Sequence, residues 1–496
     1  MFKFGRVLVG ILFTFCLVQT GLAATYTVTK TADTADGMCD ADCSLREAIA
    51  AANLTADNDV IEFAALFNTA QTITLGGTDL IITNNGTLII NGTGADKLTV
   101  SGNNVSRVFT NNTGANSTIN NLRVMGGTGV STVTTARGGG IYNSGGTLTL
   151  NNLIITGNTT ANGGATNNAG TATMNINNCA ISGNTATGAG GGSQNFSGNT
   201  LNISNTTYSN NTANTTSSGG GAVQANGTVN IVNSTFAGNN SVGGSGGAIF
   251  FNGTVLNITN STIAGNTSTN NGGGITKSNA NALNIRNTII AGNNGIAASP
   301  DATGTFNSSG NNIIGNIGTS TGWIAADLQN VNPLLGALAN NGGFTDTFLP
   351  MPGSPAINSG QNCVLDLSCA SNNPAAAVTT DQRGVMRPVN GIVDIGSVEV
   401  FVASNVSISG QVVSANGSQI ANAIVTISNM NGVIQSVRSN SFGYFTFRNI
   451  SSGQTYSLNA NAKQFVFSPQ NINVTGDATG IIITSNTNTL IDSRRK

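Results

Sequence analysis

Asp381, Arg383, Asp394 and Glu399 form a charge cluster after the repeats, in the C-terminal half of the chain. Paired carboxylates of this kind are what glycoside hydrolysis requires, one to protonate the leaving oxygen and one to attack or to activate water. Buried, the same groups would form a hydrogen-bonded polar lock closing the C-terminal coils described below, and that is the preferred reading. Asp33, Asp36, Asp40 and Asp42 offer oxygen ligands for calcium, but their spacing fits no strong metal pattern and a solvated loop is simpler. The chain contains no His. That removes His-based acid–base catalysis, Ser–His–Asp and Cys–His nucleophiles and nearly every catalytic zinc site. From Gly138 to Thr276, 139 consecutive residues supply no carboxylate, Lys or Arg. Only Tyr and Cys titrate there, and Tyr142 and Tyr208 occupy different repeat positions, which favours structural roles. Arg107, Arg123, Arg137, Lys277 and Arg286 also fall at unrelated positions and are expected to be solvated surface groups. No metal or cofactor is expected. With 18 Lys and Arg against 19 Asp and Glu, nothing would neutralise a run of phosphates, so a nucleic-acid partner is excluded.

Met1 to Ala23 carries Lys3 and Arg6, an apolar run from Val7 to Val18 and small residues at a cleavage spacing, as in a secretory signal peptide (1–23). The run is too short to cross a bilayer, and no later segment is long and apolar enough to do so. In an exported chain Cys39 with Cys43 and Cys363 with Cys369 are expected to be disulfides. Cys179 is left as a core thiol.

What must position these groups is a repeat. Asn closes successive units at 158, 184, 211, 239, 266 and 293, intervals of 26, 27, 28, 27 and 27 residues. Each unit opens on a Gly-rich stretch and continues as two short alternating strands hinged on one Asn, at 152, 178, 205, 233, 260 and 287. Asn tolerates the left-handed conformation of a sharp turn, and its amide can stack on the next coil. The expected fold is all-β: a right-handed parallel β-helix of about 27 residues per coil, with Asn152, Asn178, Asn205, Asn233, Asn260 and Asn287 as one structural ladder. A leucine-rich horseshoe has no room for its helices, and a calcium-binding nonapeptide roll lacks its Asp residues. The helix begun by Ser44 and Glu47, a capping box, presents Leu45, Ala48, Ile49 and Ala52 as a lid for the open end of the stack.

Cys43-Ser-Leu-Arg-Glu-Ala48, continuing through Asn53 and Asp59-Val-Ile-Glu-Phe63, resembles the CSLREA motif of exported bacterial β-helix proteins. Asn332 to Gly343, Pro352 to Asn358, Thr380 to Gly384 and Asp394 to Glu399 resemble the choice-of-anchor Q region, with Phe348 where relatives commonly carry His. Together these resemblances imply an exported, surface-associated protein, with the β-helix and its closing region over 24–400. From Val406 longer alternating strands appear at sandwich-like spacing. Ile408 to Val412, Ala423 to Ile427 and Ser441 to Phe447 resemble the carboxypeptidase regulatory-like domain, placing a small Ig-like β-sandwich at 405–486. Peptidase activity does not follow, since the zinc-binding His is absent.

The first functional reading is a secreted or cell-surface, non-catalytic, adhesin-like protein whose partner is an extracellular polysaccharide or another surface polymer. The rival is a polysaccharide lyase or glycoside hydrolase of the pectin-lyase-like type, with Asp381, Arg383, Asp394 and Glu399 as its fallback catalytic residues.

Overall fold

Alternation of inward aliphatic and outward polar residues, repeated at one coil length, sets the architecture. In the strand Thr147–Asn151, Leu148 and Leu150 point inward, and the strand pairs in parallel with Thr173–Asn177 so that Leu148 faces Met174 and Leu150 faces Ile176. The same register continues through Leu201, Val229, Leu256 and Leu283 beside Ile203, Ile231, Ile258 and Ile285, giving two continuous buried columns. Each equivalent position buries apolar surface against its own copy, at about 25 cal/mol per Å² removed from water.

The computed structural model describes residues 23–486, apart from 84–85, 135, 216–217, 297, 371–373, 401–404, 430–431, 453 and 475. The expected signal peptide, 1–23, lies outside the described residues but for its last position. The chain divides into two compact units, the first reaching Arg387 and including Val393–Val398, the second comprising Pro388–Ile392 and the chain from Glu399 onward.

The first unit is a parallel β-solenoid. Eleven strands from Thr25–Val28 to Asn307–Ser308 form a first sheet, eleven from Gln71–Thr74 to Leu328–Gln329 a second, and nine from Leu80–Ile82 to Ala302–Thr303 a third. A fourth sheet of five very short strands, Thr159–Thr160 to Thr267–Ser268, follows the second. The turn between first and second sheets is made by Asn121, Asn152, Asn178, Asn205, Asn233, Asn260 and Asn287, all with φ between 46° and 56°. Only a residue comfortable at positive φ fits there.

The helix Leu45–Ala52 packs its Leu45, Ala48, Ile49 and Ala52 face into the core of the first coil. Its capping box is formed: Ser44 Oγ accepts from Glu47 N (3.1 Å) and Glu47 Oε2 from Ser44 N (2.7 Å). At the far end Phe306 stacks on Trp323 at 4.5 Å.

The region after residue 332 does not seal the last coil as a terminal plug. It lies back along the flank, bonding to the coils that carry Thr207, Asn233, Thr262 and Asn287. Second-sheet strands far from it, such as Ile154–Thr156, leave alternate residues part-exposed, whereas Thr235–Ala237, Thr262–Ala264 and Ile289–Ala291 are buried throughout. Small outward residues there create a seat that the strap covers.

The second unit is a β-sandwich. Tyr444–Ser451, Asn405–Val413 and Ala478–Thr484 form one sheet; Gly432–Arg438, Ile424–Asn429, Gln454–Asn461 and Gln470–Val474 form the other. They enclose Ile408, Val412, Val425, Ile427, Phe447 and Leu458.

Candidate functional site

The charged candidates are occupied by structural work. Asp381 Oδ1 accepts from the N–H groups of Arg383 and Val385 (2.8 and 2.9 Å), and its Oδ2 accepts from Nε and Nη2 of Arg383 (2.9 and 2.8 Å). Asp394 Oδ1 accepts from Asn358 N at 2.6 Å. Arg387, absent from the expected cluster, donates to the carbonyls of Asp394 and Gly396, fixing the same bend. Glu399 belongs to the second unit, where it accepts from Val389 N at 2.9 Å. All three carboxylates are buried, and none lines the groove described below.

The N-terminal acidic loop is likewise committed. Asp33 grips Arg46 through both oxygens (2.8 and 2.9 Å), Asp42 pairs with Lys30 at 2.9 Å, and Asp36 and Asp40 cap the N–H groups two residues on. Among the described residues no cluster of three His, Cys, Asp or Glu side chains is placed to hold a metal. Burial raises the Glu47 carboxyl, but donors from Ser44, Asp36 and Thr34 outweigh it and hold the group at about 2.

Two arginines depart from the solvated role expected of them. Arg107 is fully buried: its guanidinium donates to the carbonyls of Gly129, Thr134, Arg137 and Gly138, pairs with Asp79 at 3.4 Å and lies over the Tyr142 ring at 4.9 Å. Burial lowers it to about 10, so it stays charged at neutral pH. The long excursion between Met125 and Ile141 supplies the carbonyls that pay for its desolvation, and nothing in the repeat positions reveals that fold-over. Arg286 is buried beneath the strap, donating to Sγ of Cys363. The tyrosines are core groups: Tyr208 stacks on Phe236, shares a hydrogen bond with Ser193 Oγ at 2.8 Å, and is raised by burial.

Cys39 is bonded to Cys43 and Cys363 to Cys369, while Cys179 is buried as a free thiol that burial pushes up to about 12. The thiol occupies a position that later coils fill with Thr206, Ser234, Ser261 and Thr288, whose hydroxyls accept the N–H of the preceding coil.

The six expected ladder Asn residues share one column by register, but their amides do not bond along its whole length. Asn178 donates to Asn152 (2.6 Å) and Asn152 to Asn121 (2.9 Å), whereas Asn233 turns to Thr380 O (2.7 Å) and Asn287 takes both Asn260 and the strap at Gln361. The uninterrupted ladder is the closing-Asn column. Each of Asn158, Asn184, Asn211, Asn239 and Asn266 donates its backbone N–H and its amide to the oxygen of the next, at 2.8–3.1 Å, and Asn293 ends the series on Asp301. The equal spacing of those residues was its visible signal.

A groove of about 410 Å³ lies open between the outer face of the first sheet and residues 374–380 of the strap. One wall is the amide row Asn202, Asn230 and Asn257; the other is Pro374 to Thr380, with Ala375, Ala376 and Ala377 exposed. No titratable side chain lines it. Its volume suits a ligand site, and its chemistry suits binding without proton transfer.

Residues 407–485 match the carboxypeptidase regulatory-like domain family. The regulatory-like domain is thus the sandwich of the second unit, and its model covers that segment alone. For the solenoid, the crystal structure of pectate lyase Pel9A superposes with a TM-score of 0.41 at 15% identity, covering 77% of this chain and 97% of that one. A search of curated proteins finds no significant match.

Proposed function

We propose that this chain is an exported, surface-associated protein that binds an extended extracellular polymer without cleaving it. The observation that carries the proposal is the groove: an open channel along stacked coils, lined by amides, hydroxyls and alanines, with no group able to move a proton at neutral pH. Export is supported by the signal-like N terminus, the CSLREA and choice-of-anchor Q resemblances and two disulfides, which persist in oxidising compartments.

Incubation of the mature protein with a panel of polysaccharides, scoring retention and product release separately, tests this. Retention without release is expected. Product release by the wild-type chain would overturn the non-catalytic reading, and its loss in Asp381→Asn, Asp394→Asn or Glu399→Gln with an unchanged circular dichroism spectrum would assign the lyase or hydrolase site.

A further inference from the structure

Resting on that polymer-binding reading, we infer that the groove is specific for an uncharged sugar chain, whose hydroxyls are received by the side-chain carbonyls of Asn205 and Asn233. Both residues line the groove, and in both Oδ1 is buried without a hydrogen-bond partner. Asn233 is only 5% exposed. An unmatched buried acceptor costs about 1–3 kcal/mol, and donors arriving in the groove would relieve two of them on adjacent coils. Elsewhere in the same column Asn121 and Asn152 receive the next amide and Asn260 that of Asn287. The pairing lapses where the column meets the groove.

The two walls complete the recognition. Asn202, Asn230 and Asn257 each spend one N–H and one oxygen lone pair on neighbouring coils, at 2.8 Å, which leaves a second of each for a ligand. A pyranose offers hydroxyls at its edge and C–H groups on its face, matching an amide row on one side and Ala375 to Ala377 on the other. A uronate does not match. Its carboxylate would surrender hydration with no Lys or Arg in the lining to compensate its charge, and the unmatched oxygens of Asn205 and Asn233 would repel it.

The test is affinity electrophoresis of the full mature chain in gels containing neutral β-glucan, xylan, mannan or polygalacturonate. One or more neutral polymers should retard it and polygalacturonate should not. Asn205→Gly, which keeps the positive-φ turn and deletes the carbonyl, should weaken retention at least tenfold. Asn152→Gly, in the same column outside the groove, should leave it unchanged, and Ala376→Trp on the exposed strap should abolish it by filling the channel. Preference for polygalacturonate, or neutral binding indifferent to both groove variants, overturns this inference while polymer binding stands. Failure of every polymer to retard the wild-type chain overturns both.

Discussion

Arg107 is held by four backbone carbonyls and Asp79, and both charged side chains are buried. Removing the guanidinium would strand Asp79, which keeps hydrogen bonds only from Thr110 and Ser131. Arg107→Ala should therefore destabilise the solenoid by about 3–5 kcal/mol, the usual consequence of leaving one partner of a buried pair. Denaturant titration of variant and wild type measures it, and a loss below about 1 kcal/mol would mean that the excursion relaxes to admit water.

At the scale of elements, the capping helix depends on a carboxylate held below its ordinary value of 4.5. The unfolded chain takes up a proton on Glu47 before the folded chain does, so stability from this group is complete above about pH 4.5 and is lost as pH falls towards about 2. Amide hydrogen exchange over Leu45–Ala52 should accelerate through that window in the wild type and show no such step in Glu47→Gln. The helix, the inward columns and the positive-φ turns were legible in the sequence because each is a local or strictly periodic pattern. The strap's seat was not, since Asn233 meets Thr380 across 147 residues and neither neighbourhood advertises the other. Gln470–Val474 was not legible as a strand for another reason: at the edge of its sheet it is short and largely exposed, and only Ile472 and Val474 mark its inward side. The groove inherits the strap's invisibility, because half its wall is the strap.

For the molecule as a whole, the sandwich has its own buried core, drawn from strands between Asn405 and Thr484. Expressed alone, 405–486 should fold cooperatively, with a single thermal transition followed by circular dichroism; a fragment that shows only coil signal would refute its independence. The closing-Asn ladder carries a different consequence. Every link points the same way, donor to the next coil's acceptor, so a coil outside the strap's seat can follow any other, and Asp301, which accepts from both donors of Asn293, ends the series. The ladder therefore leaves coil number open outside the strap's seat, while Asp301 acts as its full stop. Excising 159–184, or duplicating it, should give a folded protein one coil shorter or longer, and moving the terminator by Asp301→Leu should fray the final coils under limited proteolysis.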